Sequence, residues 1–195
     1  MFNRVFVECE GSNSFYQSLG RKVISIHEVP QDATKEDLIV LSGGIDINPS
    51  LYGELPHPRN QVQSRELGRR DKLCVELWNF AKSNYIPLLG ICRGAQHIAA
   101  MKGIKLIHDL PEADRGRRQV RLEGKFWASV PKCHHQAIPL NDVLTNLGES
   151  SIGGLSFMEA FETDGHVLGV QGHPEWANHF EEFPNWVRNK LWSMK

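Results

Sequence analysis

The chain has 195 residues, of which 41% are hydrophobic and 23% are charged, and its formal net charge is −1. This balance is typical of a globular protein that buries a core, and it gives no overall basic field for binding nucleic acid or an anionic membrane. No stretch approaches the roughly 18 consecutive apolar residues of a membrane-spanning helix, and the N terminus lacks the pattern of a signal peptide.

The first half of the chain predicts strands that alternate with helices. Short runs rich in apolar and β-branched residues predict strands at 5–9, 22–27, 37–42 and 86–91. Helices are expected at 14–19, from Ser64 onward with that serine as N-cap, and at 95–101. This order predicts an α/β fold with a doubly wound, mostly parallel sheet of the flavodoxin-like type.

The second half predicts shorter strands at 119–123, 126–130, 157–162 and 167–171, which we expect to add an antiparallel part to the sheet. The segment Thr163-Asp-Gly-His166 predicts a hairpin turn between the last two strands. A terminal helix is expected at 185–194. A basic cluster, Arg115-Gly-Arg-Arg118, is interpreted as a solvated loop, with contact to an anionic substrate as the alternative. We expect a single domain over 1–195.

One cysteine lies in a pattern that suggests chemistry. The segment Gly90-Ile-Cys-Arg-Gly94 joins a predicted buried strand to a predicted helix. This layout is typical of a nucleophile elbow, with Cys92 in the position of the nucleophile. A cysteine at a helix N terminus is expected to be favoured as thiolate, and the backbone N–H of Arg93 is placed to face an oxyanion. The alternative is a buried structural cysteine.

A histidine and a carboxylate follow the last predicted strand. In Gly172-His-Pro-Glu175, Glu175 lies two residues after His173, so both side chains can lie on one side of an extended backbone. A carboxylate in that place can orient the imidazole as a general base. Because the carboxyl ends of parallel strands meet at one edge of a sheet, we expect His173 to approach Cys92. The alternative is a polar strand end without function.

The remaining cysteines and histidines allow a second hypothesis, a zinc site at Cys133-His-His135. Three adjacent ligands rarely form a closed tetrahedral site, and the chain has no paired cysteine motif, so no metal is predicted. The four cysteines lack the density of a disulfide framework, which favours a reducing, cytoplasmic compartment. Cys9 and Cys74 are interpreted as packing residues.

These motifs together resemble the class I glutamine amidotransferase superfamily, and more closely its γ-glutamyl-γ-aminobutyrate hydrolase branch. The resemblance rests on segments in family order at 41–46, 48–54, 70–76, 90–96, 134–138, 158–161 and 171–176. It implies Cys92 as nucleophile, His173 as base and then acid, and Glu175 as the residue that orients it. It also implies that the amides of Gly44 and Arg93 form the oxyanion hole.

The resemblance further implies a substrate pocket lined by Gln96, His134, His135 and Gln136, with no cofactor. The segment Val130-Pro-Lys-Cys133 departs from the Val-Asn-Ser-aromatic pattern of the branch. The implied activity is hydrolysis of a γ-glutamyl amide, a small-molecule substrate. The alternatives are a glutaminase subunit that supplies ammonia to a separate synthetase or amidoligase, and a binding or regulatory protein without activity. A homodimer is compatible with the sequence.

Overall fold

The fold is a single large sheet with helices on both faces. The computed structural model describes residues 1–8, 13–111, 114–178 and 181–194. Its strands are β1 (Phe2–Glu8), β2 (Gly20–Ile26), β3 (Leu38–Leu41), β4 (Leu88–Ile91), β5 (Asp114–Leu122), β6 (Phe126–His134), β7 (Ile138–Pro139), β8 (Thr145–Ile152), β9 (Leu155–Thr163) and β10 (Val167–Val170). Its helices are α1 (Ser14–Leu19), α2 (Arg69–Asn84), α3 (Arg93–Met101) and α4 (Glu182–Ser193), with 3₁₀ turns at Pro49–Tyr52 and Pro174–Trp176.

The strand order is β2-β1-β3-β4-β10-β9-β8-β5-β6, and β7 pairs with β9. The first five strands in this order are parallel to one another, and the remaining pairings are antiparallel. The mostly parallel, doubly wound sheet with an antiparallel extension is therefore confirmed. The hairpin turn between β9 and β10 is confirmed too, with positive φ at Asp164 and Gly165 as tight hairpin turns require.

Alternation along the central strands divides the core between the two faces of the sheet. In β3, Leu38 and Val40 pack in the cluster that contains α1 and α4, whereas Ile39 and Leu41 pack in the cluster that contains α2 and α3. All four side chains are fully buried. A strand covered on both faces needs apolar residues at every position, which explains why this run does not alternate with polar residues.

The helix predicted from Ser64 begins later, at Arg69, with Gly68 as its N-cap. The Ser64 hydroxyl instead accepts a hydrogen bond from the backbone N–H of Glu66. The buried amide of Asn48 donates to the carbonyl oxygens of Ser64 (3.0 Å) and Glu66 (2.8 Å), so those groups are committed to a loop contact. The expected N-cap at Ser64 was wrong because this contact holds the segment in an irregular conformation.

The second half of the chain contains longer strands than the sequence predicted. The cluster Arg115–Arg118 lies within β5, paired with β6, and the prediction of a loop there was wrong. Strand β8 was not predicted, because Thr145–Ile152 is poor in β-branched apolar residues and buries only part of one face. Cys9 lies outside the described residues. Within the described residues, no helix combines the length and apolarity needed to cross a membrane.

The feature of the fold that positions the candidate site is the pairing of β4 with β10. Gly90 is the register partner of Gly169, and Ile91 is the partner of Val170. The backbone N–H of Cys92 continues this pairing by donating to the carbonyl of Val170 at 2.8 Å. The segments that leave these strands therefore start side by side at the carboxyl edge of the sheet, where doubly wound folds place their sites.

Candidate active site

Cys92 lies in a sharp turn between β4 and α3. Its backbone has φ 49° and ψ −103°, a conformation that costs a non-glycine residue about 1–3 kcal/mol and that is concentrated at functional sites. The turn requires glycine on both sides. A Cβ on Gly94 would overlap the carbonyl oxygen of Leu41, and one on Gly90 would lie 2.7 Å from the backbone nitrogen of Ala95. This geometry matches the predicted elbow.

The thiol of Cys92 is buried, with only 4% of the residue exposed. The side-chain amide of Gln171 donates to its sulfur at 3.7 Å. Burial raises the pKa of Cys92 to about 12, the nearby carboxylate of Glu175 adds to the rise, and a hydrogen bond from the backbone N–H of Arg93 opposes it. Burial therefore opposes the thiolate that the helix N terminus was expected to favour. The sulfur needs a base to take its proton.

His173 follows β10, and hydrogen bonds to both its backbone and its imidazole ring fix its position. Its backbone N–H donates to the carbonyl of Pro131 in β6 at 2.8 Å. Its Nδ1 lies 2.7 Å from Oε1 of Glu175, and both side chains are at least nine-tenths buried. The turn Pro174–Trp176 brings the carboxylate back to the ring. Among the described residues, no hydrogen-bond partner lies at the buried Nε2 atom.

Gly43 shows how close the cysteine and the histidine lie to each other. A Cβ built on Gly43 would be 2.7 Å from Cε1 of His173 and 3.8 Å from Cβ of Cys92. The imidazole and the cysteine therefore both border the space that this glycine leaves open. The structure thus brings together Cys92, His173 and Glu175, three residues that lie on two neighbouring strand ends.

The loop after β3 carries the predicted oxyanion-hole residue Gly44. The guanidinium of Arg70 donates to the carbonyl of Gly43 at 2.9 Å and to the hydroxyl of Ser42 at 3.0 Å. The same group forms two bonds, of 2.6 and 2.8 Å, with the fully buried carboxylate of Glu8. A Cβ on Gly44 would overlap Nη1 of Arg70. Arg70 therefore fixes this loop, and only glycine fits there.

The second predicted oxyanion-hole residue, Arg93, begins α3. Its guanidinium is turned away from the cysteine into the core, where Nη2 lies 2.5 Å from Oδ1 of Asp71 and Nη1 lies 3.5 Å from the sulfur of Cys74. The pair with Asp71 is nearly completely buried. The backbone N–H of Arg93 is therefore the part of this residue that faces the sulfur of Cys92.

Three of the four predicted pocket residues form one buried network close to the thiol. The amide of Gln96 donates to the carbonyl of Gln136 at 3.1 Å and to the side-chain oxygen of Gln171 at 3.4 Å. Nδ1 of His134 lies 2.9 Å from the same Gln136 carbonyl. Since Gln171 in turn donates to Cys92, this network supports the floor of the site.

His135, the fourth predicted pocket residue, belongs to a different network. Its Nε2 lies 3.1 Å from both carboxylate oxygens of Asp46, and its Nδ1 lies 3.3 Å from Asp109. The neighbours His134 and His135 therefore face different partners, so they do not form the ligand set that a zinc ion at 133–135 would need. In the part of the chain that the structure describes, no group of three or more His, Cys, Asp or Glu side chains could hold a metal ion.

A cavity of about 390 Å³ opens beside the glycine loop and the start of α3. Charged side chains of both signs line it. They include Asp46, Glu66, Arg69 and Arg70. Such a lining suits a small molecule that carries both an ammonium and a carboxylate group.

Sequence reasoning assigned no role to two residues that touch the site, Gln171 and Trp176. The amide of Gln171 lies between Cys92 and Gln96, and the indole of Trp176 stacks on the imidazole of His173. Both lie in the segment 171–176 on which the resemblance rests. The available signal was their position, two residues before the His-Pro-Glu motif for Gln171 and directly after it for Trp176.

Comparison with known proteins gives the family. The model of the family Peptidase C26 matches residues 24–175, a span that includes Cys92, His173 and Glu175. The chain belongs to the Peptidase C26 family. The resemblance to class I glutamine amidotransferases is thereby confirmed, and this Peptidase C26 protein is a hydrolase of the glutamine amidotransferase type.

Several curated proteins are similar to this Peptidase C26 chain. A Mycobacterium tuberculosis protein whose name places it provisionally among glutamine amidotransferases is 33% identical over 70% of this chain, and the match covers 50% of that protein. A glutamine amidotransferase-like protein of Lactococcus lactis is 33% identical over 76% of this chain and 79% of its own length. The γ-glutamyl-γ-aminobutyrate hydrolase of Escherichia coli is 26% identical over 84% of this chain and 76% of its own length.

Solved structures support the same fold. A Thermoplasma acidophilum protein described provisionally as one component of a GMP synthase has a TM-score of 0.67 at 16% identity, covering 100% of this chain and 94% of its own. A glutamine amidotransferase from Thermotoga maritima has a TM-score of 0.65 at 18% identity, covering 100% of this chain and 91% of its own. At these identities the likeness concerns the fold of the Peptidase C26 domain.

Proposed function

We propose that this protein hydrolyses the amide bond of a γ-glutamyl substrate through a γ-glutamyl thioester on Cys92, releasing glutamate and an amine. The observation that carries the proposal is the convergence of Cys92 and His173 at Gly43, with Oε1 of Glu175 2.7 Å from Nδ1 of the imidazole. A thiol, a base and a group that orients the base are the parts needed for acyl transfer by a cysteine nucleophile.

Acylation begins with a thiol that is not ionised. Because the pKa of Cys92 is raised to about 12 by burial, His173 takes the proton as the sulfur attacks the γ-carbonyl carbon. The carbonyl oxygen becomes an oxyanion that accepts hydrogen bonds from the amides of Gly44 and Arg93. One such donor typically contributes about 3–4 kcal/mol to the transition state. The C–N bond then breaks, and His173 gives its proton to the departing amine nitrogen.

Deacylation reverses these roles. His173 takes a proton from a water molecule, the hydroxide oxygen attacks the thioester carbonyl, and the C–S bond breaks. The imidazolium returns its proton to the sulfur, so glutamate leaves and the thiol is restored. Glu175 stabilises the imidazolium in both halves of the reaction, because its carboxylate faces Nδ1 and leaves Nε2 to exchange the proton.

Substrate recognition is proposed to use the charged cavity beside Gly44. The α-ammonium and α-carboxylate of a γ-glutamyl group require partners of opposite sign, which Asp46 and Arg70 supply among the lining residues. The wall of the substrate pocket is proposed to consist of Gln96, His134, His135 and Gln136. Gln96 acts there through Gln171, to which its amide already donates.

A second candidate function is that of a glutaminase subunit which supplies ammonia to a separate synthetase or amidoligase. Two relatives named for glutamine amidotransferases favour it, because they match at 33% identity, compared with 26% for the Escherichia coli hydrolase. The chemistry at Cys92 is the same in both functions, and the leaving amine differs.

The test is a screen of γ-glutamyl amides, with glutamine included, in which the purified chain is assayed for released glutamate. Hydrolysis of one or more γ-glutamyl conjugates by the isolated chain, abolished in Cys92→Ala, is the expected result. Turnover of glutamine alone, and only after addition of a synthetase, would select the second function. No release from any γ-glutamyl amide under either condition would refute both.

A further inference from the structure

The indole of Trp176 lies flat on the imidazole of His173. The ring centroids are 3.5 Å apart and the planes are inclined by only 3°. Trp176 ends the same 3₁₀ turn that carries Glu175, and its backbone N–H donates to the carbonyl of His173 at 3.1 Å. The residue is nevertheless 55% exposed.

The stack completes the set of contacts around the ring of His173. Glu175 holds Nδ1, Gly43 lies against the Cε1 edge, and Trp176 covers a face. This leaves Nε2 as the ring atom directed to proton exchange. Trp176 therefore restricts rotation about the side-chain bonds of His173, which hydrogen bonding at Nδ1 alone would not prevent.

The electrostatics of the pair favour one protonation state. The face of an indole carries negative charge density, and it attracts a cation stacked on it more strongly than a neutral ring. In the proposed reaction the imidazolium forms twice, once in each half. We propose that Trp176 is a positioning residue that holds His173 in place and stabilises its imidazolium form. This inference rests on the proposed function.

Other ionisable groups surround the same site, and they bear on any pH dependence. These groups are Glu175 in the turn after His173, Cys92 in the turn before α3, Cys133 in β6, Asp46 in the loop after β3 and Tyr16 in α1. All of them remain unchanged in a Trp176 variant. A difference between the wild-type protein and that variant therefore isolates the contribution of the indole.

The kinetic test compares Trp176→Leu with Trp176→Phe. Leu keeps apolar bulk without a π face, and Phe keeps the face. For Leu we expect kcat to fall about 3- to 30-fold with KM changed less than about 2-fold, and the rising acidic limb of kcat/KM to move to lower pH. Phe should restore kcat to within about 3-fold of wild type. Equal loss in both variants, or no loss in either, would overturn the proposal.

A spectroscopic test needs no substrate. Protonated imidazole in contact with an excited indole quenches its fluorescence, so the emission lost in Trp176→Phe should depend on pH in the wild-type protein. The same difference measured in a His173→Asn background should be independent of pH. A pH-dependent fluorescence difference in a protein without any turnover would refute the proposed function and would still support the stacking of Trp176 on His173. A pH-independent difference in wild type would overturn the stack, whatever the activity.

Discussion

Oε1 of Glu175 lies 2.7 Å from Nδ1 of His173, across a single proline in one 3₁₀ turn. The contact is almost completely buried, so solvent does not compete with it. Such a pair fixes both the tautomer and the plane of the imidazole. The positions of the two residues thus give the short motif His-Pro-Glu a physical meaning, a base oriented by its own sequence neighbour.

Replacement of that carboxylate tests its role. In Glu175→Gln we expect kcat to fall about 10²- to 10⁴-fold, because the amide cannot stabilise the imidazolium and can hold the wrong tautomer. Loss in Cys92→Ala should be larger. Glu182→Gln, at an exposed position on α4, is the matched control and should retain wild-type kcat. Full activity in Glu175→Gln would show that the contact does not contribute to the reaction.

Gly43 offers a test of the distance between cysteine and histidine. In Gly43→Ala the new methyl group would meet Cε1 of His173, so the ring must shift from the position it holds in the site. We expect kcat to fall at least about 100-fold, as happens when reacting groups are displaced by about an ångström. Ser83→Ala, at an exposed position on α2, is the control and should change kcat less than about 2-fold. Similar kcat values in both variants would argue against the proposed geometry.

The strand ends of the site could be predicted from sequence because local patterns determine them. Gly90 and Gly94 flank a turn that excludes side chains, and two apolar strands deliver Cys92 and His173 to one edge. The state of the thiol could not be predicted in this way. Its pKa depends on how deeply the folded chain buries the sulfur, and burial is the largest cause that raises it.

Contacts between distant segments account for the other differences. The start of α2 depends on Asn48, which holds the carbonyls of Ser64 and Glu66. The stack of Trp176 and the donation of Gln171 to Cys92 depend on side-chain directions that no periodicity encodes. Strand β8 has no strong apolar pattern by which it could be predicted. Its pairing with β9 and β5 stabilises it instead.

A buried ion pair near the site allows a stability prediction. Nζ of Lys132 contacts Oε1 of Glu159, and both residues are 2% exposed. Lys132→Met leaves a buried carboxylate without its cation, so we expect the free energy of unfolding to fall by about 3–5 kcal/mol. Urea denaturation should show that the double variant Lys132→Met/Glu159→Gln loses less than the sum of the single variants. Strict additivity would mean that the two charges do not interact.

The buried imidazole of His97 allows a prediction of how the free energy of unfolding changes in acid. Burial, with a smaller contribution from Arg93, lowers the pKa of His97 to about 3, so the folded state keeps it neutral while the unfolded state gains a proton below about pH 6.5. Stability should therefore fall as pH decreases from about 6.5 towards 3, by up to about 1.4 kcal/mol per pH unit from this group.

The measurement is urea denaturation of wild type and His97→Gln at about pH 7 and about pH 5. The variant should lose less stability than wild type between the two pH values. His27→Gln, at an exposed position, is the control and should follow the wild type. An unchanged pH dependence in His97→Gln would contradict the assignment of a neutral buried imidazole.

The most direct measurement is identification of the covalently modified residue by mass spectrometry. The protein is mixed with a γ-glutamyl amide that it hydrolyses, and the reaction is quenched in acid. A parallel sample is treated with an alkylating glutamine analogue. The proposed mechanism predicts a γ-glutamyl or analogue adduct on Cys92, absent in Cys92→Ala and retained when the exposed thiol is removed in Cys133→Ala. Continued turnover by Cys92→Ala, or a turnover-dependent adduct on Cys133 with none on Cys92, would contradict it.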